Sequence, residues 1–371
     1  MTEIIIGAGA SGLACAIRLK QNMPNDEVIL LERLDTLGKK ILATGNGRCN
    51  LSNEHAKHYR EVINFFNNIG LKTKSDSEGR IYPYSNQAAT VRDMLEKECI
   101  RLKVQIITDC TVKSVDRDLI VSTDCGMFYA DSVIIAAGGM AQSSLGSNGS
   151  GYEILKNLGH RITPLSPALV QLVSSSKYPR QLKGQRVKGN MKILLDGECV
   201  KQEYGEILFT AYGLSGIVSM NLSEAVSKNF ECKTPKKCHA VIDLANDFSE
   251  DELLEHINKF GSLEGILGEK VSSLLEKQAN GDKKKICKYA KNWQLIITGT
   301  KGYNFAQITS GGADLTEFNN FESKLIKNLY ACGEILNRQF ECGGYNLNFA
   351  FYSGISVADE INKKRKNNDK N

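Results

Sequence analysis

The opening run TEIIIGAGASGLACAIRL constrains this chain more than any other segment. A short β-branched stretch, Ile4 to Ile6, meets Gly7-Ala8-Gly9-Ala10-Ser11-Gly12, and apolar residues then recur at helical spacing through Leu13, Ile17 and Leu19. A second apolar stretch, Val28 to Leu31, ends in Glu32, which stands 20 positions after Gly12. The glycine pattern alone is a weak signal. With a strand before it, a helix after it and an acid at that distance, it is the fingerprint of a dinucleotide-binding βαβ unit. Gly7 allows the tight turn, Gly9 lets the backbone approach a pyrophosphate, and Gly12 lets the helix pack close to the sheet. The helix opens at Ala10 and Ser11, offering free N–H groups and a positive dipole end to phosphates. Glu32, followed by Arg33, would accept hydrogen bonds from an adenosine ribose. Its charge disfavours a 2′-phosphate, so the site suits FAD or NAD rather than NADP.

Length and composition set the frame for that unit. A chain of 371 residues is long enough for two domains. Its 11 cysteines form no CxxC pair and read as free thiols in a reducing compartment. His55 and His58 have no second ligand pair nearby, so no metal site is expected. The net charge of +5 is too small to support nucleic-acid binding, and the KKRK run at 363 to 366 reads as a solvated, frayed C-terminus. The strand-like run starts at residue 2, which leaves no room for a signal peptide. No apolar run approaches the roughly 20 residues that span a bilayer. The expectation is a soluble cytoplasmic protein acting on a small molecule, with neither nucleic acid nor membrane as partner.

The segment after Glu32 separates FAD from NAD. RLDTLGKKILATGNGRCNLSN is a polar, glycine-rich stretch of about twenty residues, a length that marks a functional loop. FAD is longer than its ADP half, and a loop here can run along its pyrophosphate, ribityl chain and ring. Lys39, Lys40 and Arg48 supply cations, Gly45 and Gly47 permit close approach, and Asn46 and Asn50 offer amide groups. Thr44 and Cys49 complete this wall.

The same stretch, GKKILATGNGRCNLSN, resembles the signature of the FAD-binding oxidoreductases that include aminoacetone oxidase and the bile-acid dienoyl reductase of gut anaerobes, the BaiN-like NAD(P)/FAD-dependent oxidoreductases. GRIYPYSNQAATV (79 to 91), GEILFTAYGLSG (205 to 216), ITSGGADL (308 to 315) and LYACGEILNRQFECGGYNLNFAFYSG (329 to 354) are similar to further family segments. GSNGSGYEILKNLGH (146 to 160) matches too, although Ser150 stands where an acid is common. The resemblance runs along almost the whole chain. It implies a Rossmann-like α/β FAD-binding domain split in sequence, a backbone contact from Val112 to the adenine, and Glu334 on the ribityl hydroxyls.

The residues of the C-terminal half agree. LYACGE is a strand ending in Gly333-Glu334, and Cys342-Gly343-Gly344-Tyr345-Asn346-Leu347 opens a helix. Glycines before a helix expose its first N–H groups, and that positive end can face the flavin edge where negative charge gathers on reduction. A strand at SVIIAAGG (132 to 139), ending in Ala137 and then Gly138-Gly139, returns beside the first turn after a β-meander near 104 to 113, 118 to 124 and 126 to 130.

The organisation follows. Residues 1–162 and 299–371 form the FAD-binding domain, and 163–298 form an inserted substrate domain. The insert is β-rich over 163–245, a small barrel or sandwich with a turn at Asp196-Gly197, and helical over 249–291. The KKK run at 283 to 285 reads as a solvated face or loop.

A second dinucleotide motif is not found, so NADH or NADPH would bind only transiently. The chemistry expected is hydride transfer through bound flavin, with NAD(P)H-linked reduction of a small unsaturated substrate favoured. The alternatives are an aminoacetone-type amine oxidase using oxygen, a tRNA-modifying flavoprotein, or a non-catalytic redox flavoprotein. No Ser-His-Asp or Cys-His arrangement calls for a nucleophile. Cys49, Cys342 and Tyr345 are the catalytic candidates, with plain wall thiols the commoner outcome for the cysteines.

Overall fold

Alternation in the first strands decides the layering. In the computed structural model, which describes residues 1–368, Ile5, Leu30 and Ile134 point into one core. Their neighbours Ile4, Ile6, Ile29, Leu31, Val133 and Ile135 point into another. Strands buried on both faces are apolar throughout, which is why they read as continuous runs.

These strands lie in a seven-stranded sheet of order Phe318–Asn319, Glu322–Ser323, Leu329–Ala331, Ser132–Ile135, Thr2–Ile6, Glu27–Leu31, Gln105–Ile107. The last five are mutually parallel, and the two short ones at the other edge pair antiparallel. The helices Ala10–Asn22 and Tyr345–Asn368 cross on one face. A Cβ on Gly354 would stand 2.1 Å from the Ser11 carbonyl oxygen, so the glycine permits that crossing.

The chain divides into two compact units: Met1–Leu165 together with the segment from Ile308 onward, and Ser166–Gln307. These limits differ from the expected 162/163 and 298/299 by 3 residues at the first and 9 at the second. The strand Trp293–Thr300, which follows the helical stretch, returns to the second unit and closes its barrel.

That second unit holds a closed six-stranded barrel of order Leu172–Ser174, Gly213–Ser215, Glu198–Phe209, Arg186–Leu195, Cys238–Asp243, Trp293–Thr300. Asp196 (φ 50°) and Gly197 (φ 90°) form its long hairpin turn, the positive-φ pair that matches strand twist. Four helices between Glu250 and Lys291 follow, the first opened by a Ser249–Glu252 capping box. The KKK run lies in the first turn of the helix Lys283–Lys291 and is exposed there.

Four expectations need correction. The stretch expected to be β-rich contains a 15-residue helix, Ile217–Glu231. The first meander strand splits: Gln105–Ile107 joins the main sheet, and the meander proper is Val112–Val115, Ile120–Thr123, Met127–Tyr129. The polar segment after Glu32 is not all loop, since Lys39–Ala43 is helical. The KKRK run is not frayed but helical. Lys364 pairs with Glu322, and Arg365 pairs with Asp26 and with Glu3, whose side chain is wholly buried. Among the described residues no helix is long and apolar enough to cross a membrane.

Candidate functional site

The first glycine turn is tied at its base. The Gly7 N–H donates to the Leu31 carbonyl over 2.8 Å, and a Cβ on Gly7 would meet the Ala136 carbonyl oxygen at 2.7 Å and the Ala137 Cα at 3.0 Å. A Cβ on Gly12 would stand 1.9 Å from the Gly7 oxygen, so this glycine is a packing requirement. Gly9 differs: a Cβ there meets nothing within 4 Å. Its freedom answers no demand of the fold and matches a phosphate approach. The helix that follows has no side-chain cap and no acid in its first turn, so no side chain of the turn compensates its first N–H groups.

Glu32 is held by two backbone donors, Ala8 N–H at 2.8 Å and Leu34 N–H at 2.9 Å, one on each carboxylate oxygen. Each oxygen keeps a second lone pair, which a ribose hydroxyl can use. Arg33 reaches the Gly146 carbonyl at 3.4 Å. Lys39 is half-buried and opens the short helix.

The structure joins this turn to the C-terminal half. Lys40 Nζ lies 2.9 Å from Glu334 Oε2, while Thr309 N–H donates to Glu334 Oε1 over 2.9 Å. Ser11 Oγ sits 3.5 Å from the Cys332 oxygen, and Gly333, at φ 79°, has no room for a Cβ beside Ser11. A Cβ on Gly138 would meet Ser147 Oγ at 3.0 Å. Thr309 was not singled out from the sequence. Its hydroxyl also accepts from the Met140 and Ala141 N–H groups, at 2.7 and 3.1 Å. Only the motif ITSGGADL could have pointed to it.

The 43–50 segment packs onto the start of the last helix. Gly45, Asn46, Gly47 and Cys49 all have positive φ. Thr44 accepts the Cys49 N–H at its carbonyl and donates its hydroxyl to the Ile41 oxygen. A Cβ on Gly344 would meet the Ser52 oxygen at 2.4 Å and Asn50 Oδ1 at 2.7 Å. Asn50 Oδ1 is buried without a hydrogen-bond partner, an arrangement that costs free energy unless a donor fills it. Asn53 Nδ2 donates to the Gly343 oxygen and Ser52 Oγ to Asn348 Oδ1, at 3.1 and 2.7 Å. Ser52, Asn53 and Asn348 thus clamp the two halves together, a role invisible in sequence because their partners lie some 290 residues away.

The other expected residues have the following surroundings. The Asn346 side chain bonds Phe340 through both its amide groups, and Leu347 packs against the core. Arg48 lies exposed over the Tyr82 ring at 4.9 Å. Val112 is half-buried at the start of the meander. Cys49 is fully buried, and burial pushes its thiol up to about 12. It is therefore protonated at neutral pH and is no thiolate nucleophile. Cys342 is half-buried. Burial, with Glu341 adding to it, raises the Tyr345 phenol. Tyr345 lines a cavity of about 160 Å³ together with Lys57, His58, Arg338, Phe340 and Tyr352.

Open space at Gly9, an uncapped helix N-terminus, a carboxylate at Glu32 with acceptor capacity to spare and an orphaned acceptor at Asn50 fit FAD. They define a Rossmann-type flavoprotein. The family described as HI0933-like protein Rossmann domain matches residues 1–60 and 57–360, and the chain belongs to it. It is 35% identical to the 3-dehydro-bile acid delta(4,6)-reductase of Clostridium scindens, with 94% of this chain and 96% of that protein covered. It is 25% identical to the ribosomal RNA dihydrouridine synthase of Haemophilus influenzae, with 98% of each covered. Among solved structures, the 3-ketosteroid delta1-dehydrogenase of Sterolibacterium denitrificans shares the fold at a TM-score of 0.55 and 11% identity, covering 98% of this chain and 100% of that one. The chain is an FAD-dependent oxidoreductase.

Proposed function

We propose that this enzyme saturates a carbon–carbon double bond conjugated to a carbonyl in a small molecule, with NADH or NADPH as electron donor, in the cytoplasm. The observation that carries the reading is the near full-length match to a reductase of a 3-dehydro bile acid. FAD, when bound, supplies a reversible hydride carrier. The chain's own residues do the rest. The glycine turn, Glu32 and the Lys40–Glu334 pair bind and orient the cofactor. The N-terminus of the last helix presents a positive end, worth about half an elementary charge, beside Asn50. Saturating a double bond takes a proton as well as a hydride. Tyr345, a phenol that burial makes still harder to ionise, is the group of this chain we assign to hold it.

An anaerobic titration with NADH and then NADPH, read by the visible flavin band, tests the proposal. We expect prompt bleaching and reoxidation by a 3-keto-4,6-diene steroid. Tyr345→Phe is expected to leave bleaching unchanged and slow reoxidation by at least about tenfold. A flavin that neither nucleotide bleaches would overturn the nicotinamide link and move amine substrates with oxygen to the front.

One further reading has support of its own. The ribosomal RNA dihydrouridine synthase relative is named for a saturated uridine, which is the same bond chemistry on an RNA base. Reoxidation of the reduced flavin by ribosomal RNA, and not by the steroid, would select it.

A further inference from the structure

We propose that Cys110, Asp124 and Cys125 form a binding site for a thiophilic divalent cation, zinc or cadmium. Cys110 lies in the connection between the strands Gln105–Ile107 and Val112–Val115. Asp124 and Cys125 lie in the turn between Ile120–Thr123 and Met127–Tyr129. Fifteen positions separate the two cysteines, so no spacing rule reveals them as a pair. The fold brings both sulfurs and a carboxylate oxygen within 4.8 Å of one another. Cys125 Sγ stands 3.4 Å from Asp124 Oδ1. A tetrahedral centre with bonds of about 2.3 Å to sulfur and about 2.0 Å to oxygen needs ligand atoms roughly 3.5–3.8 Å apart, which asks for only a small contraction.

The donors are positioned by bonds to other groups. Thr111 N–H donates to Asp124 Oδ1 over 2.7 Å, and Asp124 N–H returns to the Thr111 oxygen over 3.1 Å. A backbone donor on a ligating carboxylate is the outer support that metal sites use to fix orientation. Cys125 N–H is held by Thr123 Oγ1 at 2.9 Å. Cys110 N–H donates to the Glu32 carbonyl at 2.9 Å, so a bound ion would staple the hairpin to the segment that carries the ribose acceptor. Cys110 is buried while Asp124 and Cys125 are exposed. The ion would enter from solvent, displace one proton from each thiol and keep a fourth position for water. Two thiolates and one carboxylate suit a soft or borderline divalent ion and not magnesium or calcium.

The test is a cadmium titration of the reduced, full-length protein under anaerobic conditions with a phosphine reductant. Ultraviolet thiolate-to-cadmium absorption is the readout. We expect saturation at one ion per chain. Cys125→Ser, at an exposed position that leaves the core intact, should weaken binding by roughly 100-fold or more, and Asp124→Asn by roughly tenfold. Replacing the two other exposed thiols together, Cys199→Ser and Cys232→Ser, should change nothing. The proposal fails if no saturable band forms, if the band survives in Cys125→Ser, or if Cys110 and Cys125 are joined in a disulfide that takes no ion.

Discussion

Two glycine turns open the two helices that cross in this molecule, and they are built differently. At residues 7 to 12, Gly12 is demanded by the contact with Gly7, whereas the space beyond Gly9 is open. At residues 343 and 344, both glycines have positive φ and Gly344 is hemmed in by Ser52 and Asn50. In the first turn the contact that demands Gly12 lies within one stretch of chain, although Gly7 is also hemmed in by Ala136. The second takes its shape only against a loop some 290 residues earlier. The same local device can thus be written contiguously or assembled. Only contiguous spelling is readable as a motif.

Substitutions can break this comparison. The largest effect belongs to Gly12→Val. Its side chain would drive into the Gly7 backbone, where 1.9 Å leaves no room. A cost beyond the usual ~1–3 kcal/mol for overpacking is expected, read as loss of folded protein in a thermal melt. Gly9→Val comes next and acts on the ligand alone. Gly9 sits at φ −80°, ψ −167°, a conformation valine adopts freely. The apo melting temperature should stay within about 2 °C while FAD affinity falls by at least about 100-fold. Equal losses of fold in both variants would erase the distinction between packing and cradle glycines.

Glu32→Ala is expected to weaken FAD binding by about 1–3 kcal/mol, measured by fluorescence titration. Because the carboxylate also holds the Ala8 and Leu34 N–H groups, the variant should lose some stability as well. An unchanged dissociation constant would remove Glu32 from the ribose site. The smallest effect is assigned to Cys49→Ser, with turnover within about twofold of the parent and no thiol inflection below pH 9. The sign follows from the folded thiol at about 12 against an ordinary 9.0. Burial favours the neutral form. The stability it contributes is full below pH 9 and is lost as pH rises toward 12, where the unfolded chain ionises first.

How much of this was legible depends on where the partners of each residue lie. The βαβ unit was readable because strand, turn, helix and acid follow one another within 32 residues. The hairpin turn at Asp196-Gly197 was readable for the same reason. The helix Ile217–Glu231 was not. Its sequence is rich in serine, asparagine and β-branched residues, which favour a helix only weakly. It forms because Val218, Leu222 and Val226, spaced four apart, bury an apolar stripe in the barrel core, with Ser219, Ser223 and Ser227 buried beside them. Ser223 Oγ there accepts the Val170 N–H at 3.1 Å. The KKRK run misled for a related reason. A row of cations looks solvated until Glu3, buried in the first strand, is found to need Arg365.

By itself, then, the sequence determined the glycine turn, the acid at Glu32, the continuous apolar runs of a sheet buried on both faces, and the family likeness. These depend on neighbours along the chain or on residue type. The tertiary structure alone decided that Lys40 meets Glu334, that Asn50 is left with a buried, unpartnered oxygen, that Cys49 is sealed in as a neutral thiol, and that Cys110 faces Asp124 and Cys125. Each of these rests on burial or on a distance across the fold, and neither quantity exists until the chain has packed.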